Sequence, residues 1–284
     1  MARKRTLKLK LVKSEPETKK AKSANDVTHS PLTLAIASKN CELIKELLDK
    51  GANPNEPGLD GHPHIHIATL MDNKEILKLL LDHGANVDST DPSQNTALHM
   101  ASVENNVQSL TVLLDYGADV NKKSLSGRTP LHNAVALEHL NLVQKLLDYK
   151  ADPNMEDHRG QSPLFVAALH DKAKSAEVLL RYKANPNVQQ SDNLFTPLHI
   201  AACYGHSDVV EKLLEYRANP NVPDMSGMHP LHWAVVKGNL IIVKRLLEFG
   251  ANVDKKNFFE KTALEIALKQ KQYDLIRMIA HRAF

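Results

Sequence analysis

The sequence predicts an all-α solenoid, in which short helix-turn-helix units stack along one axis, because two phrases recur with the same period. The first phrase is Thr-Pro-Leu-His-x-Ala, and the alanines that close its eight copies lie at positions 35, 68, 101, 134, 167, 201, 234 and 267. The second is Gly-Ala-Asn or a close variant, which begins at positions 51, 84, 117, 150, 183, 217 and 250. Successive copies are 33 residues apart, with one interval of 34. A single unit of this size cannot bury its apolar face alone, so neighbouring units are expected to share one core.

Each unit divides into two predicted helices and a connecting loop. The Thr of the first phrase is a good N-cap, and the Pro after it suits the first helical position, where a backbone donor is not needed. The following Leu and Ala are three residues apart and share one face of a short helix. A second helix follows, for example at 208–215, and the Gly of the second phrase fits a left-handed C-cap. The stretch before the next Thr, such as 121–128, is long enough for a protruding β-turn or hairpin.

With this period and this phrase, the sequence resembles the ankyrin repeat. The resemblance implies stacked helix-turn-helix repeats with β-hairpin loops over residues 25–284, preceded by a basic, disordered tail at 1–24. The eight repeats are placed approximately at 25–57, 58–90, 91–123, 124–156, 157–190, 191–223, 224–256 and 257–284. The extra residue of the long interval falls near 189–193 and is expected to bulge one hairpin without breaking the stack.

Composition and charge exclude several classes of protein. No apolar run approaches the roughly 18 residues of a membrane helix, and the N-terminal segment lacks the apolar core of a secretory signal. Two distant cysteines, Cys41 and Cys203, form no disulfide framework. The first 22 residues carry nine Lys and Arg against two Glu, whereas the rest of the chain is mildly acidic, so the repeats give no reason to expect binding to nucleic acid. No phosphate-binding Gly-rich loop and no hydrolase or metalloprotease motif occurs, so the sequence predicts neither an enzyme nor a cofactor.

The histidines are interpreted as structural. Five of them occupy the His position of the first phrase, and the family resemblance implies that this side chain makes hydrogen bonds between repeats: His66, His99, His132, His199 and His232. The alternation of His62, His64 and His66 could suggest zinc, but no cysteine or carboxylate cluster completes a tetrahedral site, and no metal is predicted. Trp233, at a normally apolar position, is assigned to packing in the core or in the groove wall, with a binding hot spot as the alternative.

Partner binding is expected at positions that vary between copies while the phrases stay constant. The resemblance places the partner against the hairpin tips and the exposed side of the first helix. Large apolar and aromatic residues at such positions favour a protein-binding groove, although some of them could pack between hairpins instead. The candidate residues are Leu59, His62, Leu70, Met71, Leu125, Arg128, Leu137, Arg159, His170, Phe195, Tyr204, Met225 and Met228.

Three short motifs suggest localisation and modification. Lys4-Arg5 and the cluster Lys19, Lys20 and Lys22 resemble a bipartite nuclear localisation signal, although a solvated tail or a nucleic-acid patch is the alternative. In the same tail, Lys13 lies in Val-Lys-Ser-Glu, which resembles the acceptor site for the modifier SUMO. Asn121 resembles the loop asparagine that an oxygen-sensing hydroxylase modifies in many ankyrin proteins, and a structural role in tying the loop is the favoured alternative.

The sequence is therefore interpreted as a monomeric, non-enzymatic adaptor or regulator that binds a protein partner in the nucleus or, alternatively, the cytoplasm. Importin is a second expected partner if the tail is a nuclear signal, and neither direct nucleic-acid binding by the repeats nor a membrane is expected. The alternatives are a cytoplasmic inhibitor that masks a transcription factor, a ligase substrate adaptor, and an effector of an intracellular microbe. The phosphorylation-dependent degradation motif Asp-Ser-Gly-x-x-Ser, which such inhibitors of the NF-kappaB family carry, is not found.

Overall fold

The structure, a computed structural model, describes residues 30–58 and 61–281. These residues form sixteen helices in eight successive pairs. We call the two members of each pair the first helix and the second helix. The pairs are α1 (Pro31–Ala37) with α2 (Cys41–Asp49), α3 (His64–Leu70) with α4 (Lys74–Asp82), α5 (Ala97–Glu104) with α6 (Val107–Asp115), α7 (Pro130–Ala136) with α8 (Leu140–Asp148), α9 (Pro163–Leu169) with α10 (Ala173–Arg181), α11 (Pro197–Tyr204) with α12 (Ser207–Glu215), α13 (Pro230–Val236) with α14 (Leu240–Glu248), and α15 (Ala263–Lys269) with α16 (Tyr273–Ala280).

The repeated phrase starts most of the first helices in the way the sequence predicts; α3, whose N-cap is Pro63, lacks a side-chain cap bond. In α7, Thr129 is the N-cap, Pro130 occupies the first turn, and Thr129 and His132 form a capping box. The same arrangement begins α11 at Thr196. A capping box satisfies backbone donors that the first turn leaves without partners. These helices have only seven or eight residues, so packing rather than intrinsic propensity must supply most of their stability.

The first seven second helices, α2 to α14, are each terminated by a residue with a left-handed backbone. The position is glycine in four copies, Gly51, Gly84, Gly117 and Gly250, with φ between 80° and 90°. In the copies between them, Lys150, Lys183 and Arg217 adopt the same conformation with φ of 69°, 65° and 64°. The predicted C-cap is therefore present even where the glycine that signals it is missing. A side chain other than glycine makes this conformation less favourable.

One apolar core runs through the described part of the chain. Each first helix packs against the next first helix, and each second helix packs against the next second helix. The eight alanines that close the first phrase are all buried, with at most 1% of their surface exposed, which allows neighbouring first helices to approach closely. The all-helical repeat solenoid predicted from the periodicity is confirmed.

The loops that precede the first helices are tight turns and differ from the predicted β-hairpins. Within the described residues they contain only two isolated bridges, Pro57 with Pro63 and Thr90 with Thr96, and no strand. We call their ends the tip turns, which span 91–95, 124–128, 157–161, 190–195, 224–228 and 257–261; in each, the amide of the first residue donates to the carbonyl of the last. In several turns an Asp or Asn side chain accepts from two amides of its own turn, as Asp157 does, so the turn closes without strands.

The extra residue of the long interval lies in the fourth of these tip turns. That turn runs from Gln190 to Phe195 and has six residues, whereas the others have five. Leu194, the residue before the last, has a left-handed backbone with φ 59°, as the equivalent residue has in the five-residue turns, for example Gln94 with φ 58° and Glu260 with φ 57°. The flanking first helices, α9 and α11, remain packed together. The predicted local bulge is therefore confirmed, and it lies in a turn instead of a hairpin.

Candidate partner-binding groove

Each tip turn faces the first helix that follows it, and two clefts show this geometry. One cleft is lined by Asp91 and Asn95 of a tip turn and by Met100 and Val103 of α5. The other is lined by the tip turn at 257–261 and by residues of α15. We call the surface between the tip turns and the exposed ends of the first helices the groove. It is the side of the molecule on which the sequence places a partner.

The described candidate residues differ in exposure. The exposed ones are Leu70, Leu125, Leu137, Arg159, His170, Tyr204 and Met225, and the half-buried ones are His62, Met71, Arg128 and Met228. Tyr204 is 61% exposed at the end of α11, with its ring stacked on the ring of His206. The exposed set gives the groove large apolar and aromatic side chains that no other element of the described chain covers. Their role in partner binding stays a prediction.

Phe195 is a correction to this set, because only 8% of its surface is exposed. Its ring packs edge-on against Trp233 of the next repeat, with ring centroids 5.3 Å apart, and stacks on His199 at 5.5 Å. Trp233 is held in turn by its indole N–H, which donates to Oδ2 of Asp224 at 2.9 Å. The expectation that Phe195 is an exposed contact residue is wrong, because the aromatic wall that it forms with Trp233 uses its ring for packing.

Arg128 is partly committed to the fold. Its Nε lies 3.5 Å from Oδ2 of Asp157, the buried first residue of the next tip turn. The backbone carbonyl of Arg128 also accepts a hydrogen bond from Nε2 of His99. About a third of the Arg128 side chain remains exposed. The guanidinium group that would contact a partner therefore also pairs with Asp157 of the next repeat.

Four of the five phrase histidines link neighbouring repeats, as the resemblance implies. Nε2–H of His132 donates to the carbonyl of Gln161 at 3.0 Å, and Nδ1 accepts from the amide of Thr129 at 3.1 Å. The corresponding cross-repeat bonds join His99 to Arg128, His199 to Met228, and His232 to Lys261. His66 bonds instead to the carbonyl of Ser89, near the end of its own repeat. Burial lowers the pKa of His132 and of His199 to about 4. These rings are neutral at pH 7 and act as framework.

The candidate zinc histidines are not arranged around a common point. Nε2 of His64 bonds to Oγ1 of Thr33 at 2.8 Å and its Nδ1 to the carbonyl of Pro54, while His66 belongs to the framework set. Among the residues that the structure describes, no group of three or more His, Cys, Asp or Glu side chains could hold a metal ion.

Other groups in the groove show little chemical activation. Burial raises the pKa of the Cys203 thiol, which keeps it protonated and weakly nucleophilic at pH 7. Burial, Arg128 and Lys172 lower the pKa of His170, so its ring is neutral at the same pH.

Within 30–58 and 61–281, no helix combines the length and the apolar character needed to cross a bilayer.

Asn121 lies in a polar ladder that joins successive loops. Its Oδ1 accepts from the amide of Asp152 in the next loop at 2.8 Å, and equivalent bonds run from Asn86 to Asn55 and from Asn252 to Asn221. This geometry agrees with the structural role favoured from the sequence. Hydroxylation of Asn121 stays a prediction.

A second ladder, on the second helices, was not anticipated from the sequence. The phenol of Tyr116 donates to Asp82, that of Tyr149 to Asp115, and that of Tyr182 to Asp148, while His83 contacts Asp49 in the same way. Each donor is the residue before the second phrase, and each acceptor lies 34 residues earlier. The recurring aromatic residue before Gly-Ala-Asn is the sequence signal that could have revealed this ladder.

Several sequence-based predictions fall outside the described residues. They concern the candidate tip residue Leu59, the nuclear-signal residues Lys4, Arg5, Lys19, Lys20 and Lys22, and the modification site Lys13. They stay predictions.

Comparison with known families gives one result. The family model for ankyrin repeats (3 copies) matches residues 32–124, 88–157, 131–224 and 198–284, so its matches together span most of the chain. A search of curated proteins found no match.

Proposed function

Because the chain belongs to the ankyrin-repeat family, whose repeats are general protein–protein interaction modules, we propose that it binds a protein partner through the groove. The observation that supports this most strongly is the row of exposed large side chains along the groove, among them Leu70, Leu137 and Tyr204. These three lie in the second, fourth and sixth repeats, whereas the phrase residues beside them are buried in caps and core. Aromatic and large apolar side chains on an open concave surface are typical of the centre of a protein interface.

The proposal is tested by photo-crosslinking from single positions in living cells. A photoreactive phenylalanine analogue replaces Tyr204 or Leu137 in the groove and, as a matched control, Lys244 on the second-helix face, where the lysine side chain is 65% exposed. We expect discrete crosslinked protein bands from the two groove positions and none from the control position. Crosslinks from the control position alone would place the partner on the opposite face and contradict the proposal.

Once a partner is identified by its crosslink, affinity and stability separate contact from folding. Tyr204→Ala is expected to weaken binding about 30-fold, which corresponds to a hot spot of about 2 kcal/mol. The unfolding free energy should change by about 0.5 kcal/mol or less, because the side chain is exposed. Equal affinity of Tyr204→Ala and the parent protein would remove Tyr204 from the interface.

We propose further that the protein acts in the nucleus as an adaptor or regulator, on the strength of the basic clusters at Lys4-Arg5 and at Lys19, Lys20 and Lys22. Changing the three lysines to Ala in a fluorescent fusion should abolish nuclear accumulation if importin reads this segment. Unchanged accumulation would reject the signal. A cytoplasmic function would then be the alternative.

A further inference from the structure

The C-terminal end of the groove contains a wide cleft with an apolar floor. The cleft has a volume of about 530 Å³ and lies between the tip turn at 257–261 and the first helices α13 and α15. Its apolar lining consists of Met228, Val236, Phe259 and Ile266. Phe259 is 73% exposed, which is unusual for a phenylalanine in a folded domain.

The position of Phe259 is fixed by its turn. Its amide donates to Oδ1 of Asn257 at 2.9 Å, and the neighbouring ring of Phe258 lies over Gly227, where an added Cβ would come within 2.6 Å of that ring. Phe258 therefore packs against the preceding tip turn, whereas Phe259 lines the cleft. Because the backbone of this turn is already ordered, a partner that covers Phe259 does not have to order it, which lowers the entropic cost of binding.

Two lysines of this cleft have no ion-pair partner within the described chain. Lys261 and Lys269 line it, and neither ammonium group forms an ion pair or a side-chain hydrogen bond with any described residue. The carboxylate that lines the same cleft, Glu265, is engaged in the helix cap, where it accepts from the amide of Thr262 at 2.9 Å. This bond lowers the pKa of Glu265, and the positive charges of Lys261 and Lys256 lower it further. With two lysines against one carboxylate, the cleft offers an apolar floor with a net positive charge at its edge.

The cleft in the N-terminal half has the opposite charge. It is lined by Leu70, Met100 and Val103 together with the carboxylates of Asp91 and Glu104, and it contains no Lys or Arg. The surrounding sequence follows the same trend, because residues 30–123 carry seven Lys and Arg against thirteen Asp and Glu, whereas residues 124–284 carry twenty against seventeen. The groove is therefore polarised along the stack, and its C-terminal end is the one suited to an anionic partner.

We propose that the cleft formed by Met228, Val236, Phe259, Lys261, Ile266 and Lys269 binds a protein segment that combines large apolar side chains with Asp or Glu. This proposal rests on the proposed protein-binding function and specifies the chemistry of the partner. The apolar side chains cover Phe259 and Ile266, and the carboxylates pair with Lys261 and Lys269. Electrostatic complementarity of this kind raises the association rate and selects against basic segments.

The test is selection from a phage-displayed library of random peptides about 16 residues long on the immobilised full-length protein. Selection is repeated on the double variant Lys261→Glu/Lys269→Glu, on Phe259→Ala, and on the matched control Lys78→Glu/Lys174→Glu, which makes the same change of net charge on the second helices α4 and α10. We expect the parent protein and the control to enrich the same acidic, apolar peptides. Synthetic versions of these peptides should bind at least 10-fold more weakly to both cleft variants.

Three outcomes would overturn the proposal. One is enrichment of neutral or basic peptides, or of none, and another is equal binding of the acidic peptides to the parent and to the cleft variants. The third is displacement of the peptides by a single-stranded oligonucleotide that itself binds more tightly, which would make the lysines a nucleic-acid site. The photo-crosslinks at Tyr204 and Leu137 are independent of these results, so the groove function can stand while this partner chemistry fails.

Discussion

Two neighbouring interfaces between successive repeats, which we call joints, are stabilised by different kinds of contact. The joint between the fourth and fifth repeats is polar: His132 bonds to Gln161, the amide of His158 to the carbonyl of Ser126, and the phenol of Tyr182 to Asp148. Ion pairs reinforce it from Arg128 to Asp157 and from Lys172 to Glu138. Each of these bonds has a preferred direction, so together they fix how one repeat is oriented on the next.

The next joint, between the fifth and sixth repeats, lacks the histidine bond, the bond between tip turns and the phenol–aspartate bond. Phe165 stands where the phrase has histidine, no backbone hydrogen bond joins the tip turns at 157–161 and 190–195, and Arg181 takes the place of the aspartate opposite Tyr216. Polar contacts remain from the amide of Asn219 to Asn187, from Gln189 to the carbonyl of Pro223 and from His206 to the carbonyl of Ala168. Apolar packing replaces the rest, since Phe165 and the alanine pairs at 167–168 and 201–202 are all buried.

The comparison teaches that the same solenoid step can be stabilised by directional polar bonds or by apolar burial. Because the stability of such a stack is approximately a sum of repeat and neighbour terms, each joint should respond to its own perturbation. A polar joint should be sensitive to pH, and an apolar joint should be sensitive to loss of volume.

The largest expected effect is acid destabilisation of the histidine joints. The pKa of His132 and of His199 falls from 6.5 in the unfolded chain to about 4 in the fold, chiefly because the rings are buried; around His132, Asp157 opposes this shift while Arg128 and Lys123 assist it. Between those values the unfolded chain takes up protons that the folded chain does not. The contribution of each ring is thus fully present above pH 6.5 and is lost as the pH falls towards 4, by about 3 kcal/mol per ring.

Urea unfolding measured between pH 7.5 and pH 4 checks this prediction. Protonation of Nδ1 would also break the capping box, since that atom accepts from the amide of Thr129. The variant His132→Phe places in the fourth repeat the residue that the fifth repeat has at this position, Phe165. It should reduce the number of protons taken up on unfolding by about one. If the parent and this variant show the same pH dependence, His132 does not contribute to it.

The repeated phrases predict that successive repeats stack, but they do not predict which kind of contact stabilises each joint. Thr129, Pro130 and His132 recur in register, and their caps follow from local chemistry, so the fold and the histidine bonds could be expected. The burial of Phe195 depends on Trp233, which lies 38 residues further along the chain. Comparing one position across the repeats does not show that these two residues pack together. The phenol–aspartate ladder likewise depends on how two second helices lie side by side. The predicted hairpins became turns because Asp and Asn side chains close the loops locally.

The second effect, in order of size, is the loss of volume at the apolar joint. Phe165→Ala removes a ring that is 3% exposed, and it should lower the unfolding free energy by about 3–5 kcal/mol at pH 7. With few polar bonds left at this joint, we expect the sixth to eighth repeats to unfold at lower urea than the first five, which hydrogen exchange read by mass spectrometry would resolve. Phe258→Ala, on a phenylalanine that is 74% exposed, is the matched control and should change stability by about 0.5 kcal/mol or less. Uniform loss of protection along the whole chain would contradict the idea that this joint separates two cooperative units.

The smallest effect comes from restoring one rung of the phenol–aspartate ladder. Arg181→Asp places a carboxylate at the position that Asp148 occupies one repeat earlier, opposite Tyr216, whose ring packs on the core as that of Tyr182 does. Arg181 forms no ion pair with any described residue, so its removal breaks no such bond. A new exposed hydrogen bond to a charged group should raise the thermal midpoint by about 1 °C, since exposed charged pairs contribute little and the domain is large.

The double variant Arg181→Asp/Tyr216→Phe supplies the control, because it carries the new carboxylate without the phenol that would donate to it. A rise in the single variant that disappears in the double variant, when each is compared with its own parent, would assign the effect to the bond. An equal rise in both would mean that it comes from the change of charge, and that the ladder ends at the fifth repeat for some reason other than Arg181.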